Sequence, residues 1–158
     1  MALRTGIGMD AHRFAEGRRL VLGGVEIEHP LGLEGHSDAD VLCHAIADAL
    51  LGAAGLEDIG HYFPDSDPRW KDADSAVMLA EVARLVGEAG CIIGNVDAVV
   101  VAEEPTIAPH REAMRTRLAE ALGVPVSAVS LRGTTTEGMG FAGRGSLGFF
   151  LKLFGFDL

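Results

Sequence analysis

The chain has 158 residues, enough for one domain with a core of its own, and 48% of them are hydrophobic. Its 13 Lys and Arg stand against 23 Asp and Glu, a formal net charge of −10. Bulk nucleic-acid binding and attachment to an anionic membrane are therefore not expected, since both need a basic face. With 13 cationic side chains in all and only two of them lysines, Lys71 and Lys152, metal ions and backbone N–H groups are the expected local counter-charges for a phosphorylated ligand.

Along the chain, Arg4 to Met9 reads as a short strand, and Arg19 to Glu28 as a hairpin turning at Gly23-Gly24. From Asp38 to Leu51, the residues Val41, Leu42, Ala45, Ile46, Ala49 and Leu50 recur at helical spacing, with Ser37 or Asp38 as N-cap and Gly52 as stop. Asp58 to Lys71 has prolines and acids but no sustained period, which predicts a loop. Ser75 to Glu88 predicts a second helix with Met78, Val82, Leu85 and Ala89 inward, followed by a buried strand over Cys91 to Val101. A third helix starts near Pro109, turns Met114, Leu118, Ala121 and Leu122 inward, and closes at Gly123 and Pro125. Val129 to Thr134 and Ser146 to Phe154 complete the strands, with a glycine-rich turn between them.

This order predicts a single α/β two-layer domain over residues 1–158, with a mixed sheet of four to five strands and helices packed on one face. The 21 glycines, about twice the usual ~7%, read as tight turns. Cys43 and Cys91 have no neighbouring cysteine, and the N-terminus MALRTGIGMD lacks a leader's basic start and apolar run. A cytoplasmic, disulfide-free protein is the expectation. The last strand places Phe149 and Phe150 on opposite faces, so either one face is an oligomer seam or helices cover both.

Asp10 and His12, two apart at a strand end, point to the same side. Alone they suit a hydrogen-bonded pair as well as a metal arm. With His44 from the first helix they make a carboxylate and two imidazoles, the number of protein ligands a catalytic zinc uses while leaving a fourth position open. His36 and Ser37 stand before that helix, where either an N-terminal phosphate site or a simple cap fits. Asp58, Asp65 and Asp67, beside Gly60 and Pro64, suit sugar hydroxyls or solvent. Thr134, Thr135 and Thr136 offer hydroxyls to phosphate oxygens and Glu137 a carboxylate to a hard cation, although threonine runs also simply favour strand. Arg144 is an oxyanion clamp or a surface charge.

GIGMDAHRF (6–14), LEGHSDADVLCHAIADALLGA (33–53), DIGHYFPDSDP (58–68) and GTTTEGMGFAGRG (133–145), in this order, resemble the 2-C-methyl-D-erythritol 2,4-cyclodiphosphate synthases of the non-mevalonate isoprenoid pathway. The resemblance implies a homotrimer around a three-fold axis with active sites between subunits. It implies closure of 4-diphosphocytidyl-2-C-methyl-D-erythritol 2-phosphate to the cyclic diphosphate, with loss of CMP. By motif, Asp10, His12 and His44 would hold one Zn²⁺ per subunit, and Glu137 a Mg²⁺ or Mn²⁺ at the substrate diphosphate. His36 and Thr135 take the positions of the catalytic groups, with Ala11 beside the metal arm and Ser37 on the 2-phosphate. Asp58, Ile59 and Gly60, then Phe63, Pro64, Asp65, Ser66 and Asp67, match the part that grips the methylerythritol. Ala102, Glu103, Glu104, Pro105, Thr106, Ile107 and Ala108 match the cytidine pocket, completed by Thr134 to Glu137. Phe141 and Arg144 match residues of the trimer axis and nearby phosphate region. Thr106 departs from the family, many members of which carry lysine there. Two other readings share these residues: a zinc phosphohydrolase using the same triplet, and a trimeric ligand-binding module without catalysis.

Overall fold

The computed structural model describes residues 3–140 and, for the backbone, 146–152. Phe141, Arg144, Phe154 and Phe156, and the side chains of Phe149 and Phe150, lie outside the described residues. The strands are β1 (Ile7–Gly8), β2 (Ala11–Ala15), β3 (Leu20–Leu22), β4 (Val25–Ile27), β5 (Gly32–Leu33), β6 (Val96–Val101), β7 (Val129–Thr134) and β8 (Ser146–Lys152). The helices are α1 (Val41–Ala54), α2 (Ile59–Tyr62), α3 (Ser75–Glu88) and α4 (Arg111–Leu122). A six-stranded mixed sheet runs β5-β2-β8-β6-β7, with β1 also on β8, and β3-β4 forms a separate hairpin.

The sheet thus has more strands than the four to five predicted. The extra ones are β5, only two residues long, and β2, which continues beyond the predicted Arg4–Met9 strand after a gap that leaves β1 only two residues long. Ile7 faces Lys152 and His12 faces Leu147, so the offset against β8 is unchanged across Met9 and Asp10. The strand is interrupted there without an inserted residue. Sequence periodicity cannot show such a break, because the alternation of side chains continues through it.

Helices α1 and α4 pack on one face of the sheet, and α3 packs against both of them. Val96, Ala98 and Val100 of β6 are buried beneath them and alternate with half-buried Asp97, Val99 and Val101 on the other face. In β7, Val129 and Leu131 are buried while Ser130 and Arg132 are exposed. Ile7 and Met9 also remain exposed, at 67% and 61%. Among the described residues this is the one-sided burial of a sheet with a single helical layer.

Helix α1 is buried nearly all round, from Val41 to Leu51, with His44 and Asp48 as its half-buried polar positions. Its close fit against β1 explains two glycines that are not turns. A Cβ on Gly8 would lie 2.0 Å from the Ala45 carbonyl oxygen, and one on Gly6 1.8 Å from that of Ala49. Only a bare backbone lets β1 approach the helix so nearly. Gly23 and Gly24 do form the expected turn, both with positive φ.

The predicted N-cap of α1 moves from Ser37 or Asp38 to Asp40, and its stop from Gly52 to Gly55 in the left-handed conformation. Asp40 is fully buried and accepts from the N–H groups of Leu42 and Cys43 as well as Gly23 and Gly24 of the hairpin turn. One carboxylate caps the helix and moors β3-β4 to it. Helix α3 matches its predicted bounds, but Leu79 and Val86 join the buried stripe while Leu85 is half-buried and Ala89 exposed. Pro109 belongs to a 3-10 turn that leads into α4, and β6 begins at Val96 rather than Cys91. The acidic loop carries α2 and a second 3-10 turn at Pro68–Trp70.

Candidate functional site

Asp10 lies in the gap between β1 and β2, His12 on β2, and His44 one turn into α1. Their donor atoms all fall within 4.8 Å of one another. Asp10 Oδ2 is 3.0 Å from His12 Nε2 and 3.1 Å from His44 Nδ1. All three are half-buried, and His12 Nε2 is a buried nitrogen without a well-aligned hydrogen bond. Burial acts to raise the Asp10 pKa, but hydrogen bonds and charge from His12 and His44 outweigh it and hold the carboxyl well below its usual range. Burial likewise acts to lower the His44 pKa, and Asp10 overcomes it, leaving the imidazole above its ordinary value. A carboxylate and two imidazoles converging with one nitrogen unsatisfied fit a divalent ion of the zinc type.

The cluster opens into a cleft of about 320 Å³ whose walls include His36, Ser37, Asp48, Ile59, Gly60, Phe63, Asp65 and Trp70. The first three predicted motifs therefore meet in one place. Asp48, which sequence reasoning did not single out, accepts the Ile59 N–H at 2.8 Å and ties the acidic loop to α1. Asp58 caps α2, and Asp67 caps the following turn while paired with Arg69. Those two aspartates thus have structural work within the loop. Phe63 is buried edge-on against Trp70, with ring centres 4.8 Å apart.

Two expectations about the loop before α1 change. Asp40 accepts the N–H groups of Leu42 and Cys43, so those two donors are not free for an anion. Ser37 is buried, and its hydroxyl contacts Ser75 and His44 at 3.2 Å and accepts from the Ala39 N–H. The His36 Nε2 atom is buried without a hydrogen-bond partner among the described residues, and His36 lines the cleft.

The fourth motif lies elsewhere on the sheet. Ala11 pairs with Gly148, Gly148 with Val101, and Val101 with Thr134, so Ala11 and Thr134 occupy one row across β2, β8, β6 and β7. Three strand spacings separate them, about 14 Å. Neither Ala102–Ala108 nor Thr134–Glu137 lines the cleft. Glu103 accepts from Thr136 N–H and Oγ1, each at 2.9 Å, and from Gly138 N–H at 3.1 Å, which lowers its pKa. Thr135 Oγ1 donates to Glu137 at 3.2 Å. Glu137 itself adopts φ 54°, a left-handed conformation uncommon for a residue with a side chain. Thr106 is exposed, while Ala102 and Ile107 are buried.

A helix-covered mixed sheet whose edge carries an Asp-His-His cluster at the mouth of a cleft defines an α/β enzyme with a candidate metal centre. A model of the YgbB family matches residues 3–148. The 2-C-methyl-D-erythritol 2,4-cyclodiphosphate synthase of Rubrobacter xylanophilus is 63% identical over 145 residues, which cover 90% of this chain and 87% of that protein. A solved synthase of that name in a CDP-bound form is 39% identical, with a TM-score of 0.86 over 95% of this chain and 98% of the other. The bifunctional IspDF from Campylobacter jejuni is 40% identical with a TM-score of 0.89 over 99% of this chain, which spans only 43% of that longer protein. The chain belongs to the 2-C-methyl-D-erythritol 2,4-cyclodiphosphate synthase family.

Proposed function

We propose that this chain is a cytoplasmic phosphorus–oxygen lyase of the non-mevalonate isoprenoid pathway, a single domain over residues 1–158. It closes 4-diphosphocytidyl-2-C-methyl-D-erythritol 2-phosphate to 2-C-methyl-D-erythritol 2,4-cyclodiphosphate and releases CMP. The observation that carries the reading is the Asp10-His12-His44 cluster at the cleft. Family membership and the CDP-bound relative support the nucleotide.

In the reaction a 2-phosphate oxygen forms a bond to the β-phosphorus, and the bond from that phosphorus to the oxygen bridging the α-phosphate breaks. The nucleophile is already ionised at pH 7, so the protein need not supply a strong base. Catalysis is then positioning and charge neutralisation. Asp10, His12 and His44 would hold zinc, which supplies Lewis acidity toward a phosphoryl oxygen. Glu137 would hold Mg²⁺ or Mn²⁺ together with substrate phosphates, as such ions prefer. His36, with its unpartnered Nε2 at the cleft, orients a phosphate oxygen, and Thr135 does so from the other motif. The acidic loop receives the methylerythritol through Asp65 and neighbouring backbone, and Ala102–Ala108 with Thr134–Glu137 receive the cytidine.

The two halves are completed between subunits of a homotrimer, a reading supported by the uncovered sheet face and by the separation of the two motifs across the sheet. Sizing in solution tests this, and a mass near the 16.6 kDa of one chain would contradict it. Phosphorus NMR after incubation with the diphosphocytidyl substrate and divalent metal tests the chemistry. A cyclic diphosphate with CMP is expected, whereas linear phosphates would favour a zinc hydrolase.

A further inference from the structure

We propose that Ser75 and Asp38 are positioning residues that set the tautomer of His44 and thereby its affinity for a zinc-type cation. Ser75 opens α3 and is 1% exposed, and nothing in its sequence context marks it as part of the site. Its hydroxyl lies 3.0 Å from His44 Nε2, on the ring edge opposite the nitrogen that faces Asp10. It also makes a short hydrogen bond to Asp38 Oδ1, and its own N–H donates to Asp38 Oδ2 at 3.1 Å.

Proton accounting gives these contacts a direction. A carboxylate only accepts, so the single hydroxyl proton of Ser75 goes to Asp38. The Ser75 oxygen is then left to accept, from Ser37 Oγ at 3.2 Å and from His44 Nε2. Ser37 Oγ also lies 3.2 Å from Nε2, but the closer 3.0 Å contact to Ser75 has no proton from Ser75 and needs one on Nε2, so the lone pair available to a cation is on Nδ1, the nitrogen beside Asp10. A His44 ring turned or protonated the other way would leave a buried donor or acceptor unpaired in this network.

The backbone keeps the chain of contacts in place. Asp38 N–H donates to Ala73 O at 3.1 Å and Asp72 N–H to His36 O at 2.9 Å, stitching the loop before α1 to the approach to α3. Asp38 Oδ1 also accepts the Asp40 N–H. Second partners of this kind orient a metal-binding imidazole, and their loss typically lowers metal affinity 10- to 100-fold.

This inference rests on the metal reading of Asp10, His12 and His44. The test is zinc affinity of the full chain, measured by competition with a chromogenic chelator, for the parent, Ser75→Ala and Asp38→Asn. Cobalt absorption spectra and the thermal midpoint of each metal-free protein accompany it. Both variants are expected to bind zinc roughly 10- to 100-fold more weakly and to give altered cobalt spectra. Asp38→Asn keeps the shape of the side chain but brings a donor to a position that must accept, so its effect is not one of lost volume. If Ser75→Ala lowers only the metal-free midpoint while affinity and spectrum match the parent, Ser75 is a packing residue and the proposal fails. If the parent itself takes up no metal, the metal reading of the cluster falls with it.

Discussion

The two ends of the candidate site are built differently. Asp10 and His12 directly follow β1, and His44 sits on α1; β1 and its approach touch that helix through Gly6 and Gly8, and a buried carboxylate anchors the helix start. Thr134 to Gly140 is exposed apart from half-buried Thr136, and the Glu103 carboxylate occupies N–H groups of the turn. The first region is a donor set held by the packing of a strand against a helix. In the second, a side chain fills positions where an anionic ligand would otherwise accept. The contrast teaches that packing fixes the geometry of the cluster, whereas the turn rests on exchangeable hydrogen bonds.

The sharpest test is at the packed end. His44→Ala should lose bound zinc and lower CMP release by roughly 10³-fold or more while the fold persists, as metal analysis, turnover and circular dichroism would register. Unchanged turnover would remove the metal cluster from the mechanism. Gly8→Ala comes next. It forces β1 off α1, and a destabilisation of about 1–3 kcal/mol in urea unfolding is expected, with weakened zinc binding. A neutral result would show that the close approach is not needed.

The pH dependence of metal uptake probes the same contrast. His44 is held above its ordinary value, about 6.5, by Asp10. The imidazolium–carboxylate pair therefore stabilises the metal-free fold fully below that ordinary value, and the contribution fades as pH rises through the raised one. Metal needs the proton removed, so zinc affinity should climb through this interval by up to about tenfold per pH unit in competition titrations. The smallest effect belongs to the turn. Glu103→Gln should change the KM for substrate by only several-fold and leave kcat nearly intact, because solvent can replace an exposed hydrogen-bond acceptor. A large loss of kcat would mean that the turn is as firmly held as the cluster.

Much of this was legible in the sequence where one period or motif carried the information. Helix α3, strand β7 and the Gly23-Gly24 turn stand where local pattern put them, and the Asp10-His12-His44 cluster assembled from an i, i+2 pair and one helix position. What escaped was non-local. The N-cap at Asp40 depends on the hairpin N–H groups it also satisfies, and Asp48 matters because the acidic loop folds back onto α1. The roles of Gly6 and Gly8 require knowing that a helix lies against them. Ser75 carries no signal of its own, since its neighbours His44 and Asp38 lie more than thirty positions away along the chain.

The unchanged register across Met9 and Asp10 has a consequence for how this protein can vary. Because the pairing offset is the same on both sides of the interruption, the number of residues between Gly8 and Ala11 decides which side of the sheet receives His12. A single inserted or deleted residue would turn the imidazole away from His44 even with every ligand retained. Length at this exposed junction is therefore as constrained as identity, and substitutions that spare Asp10 should be tolerated at Met9 where insertions are not.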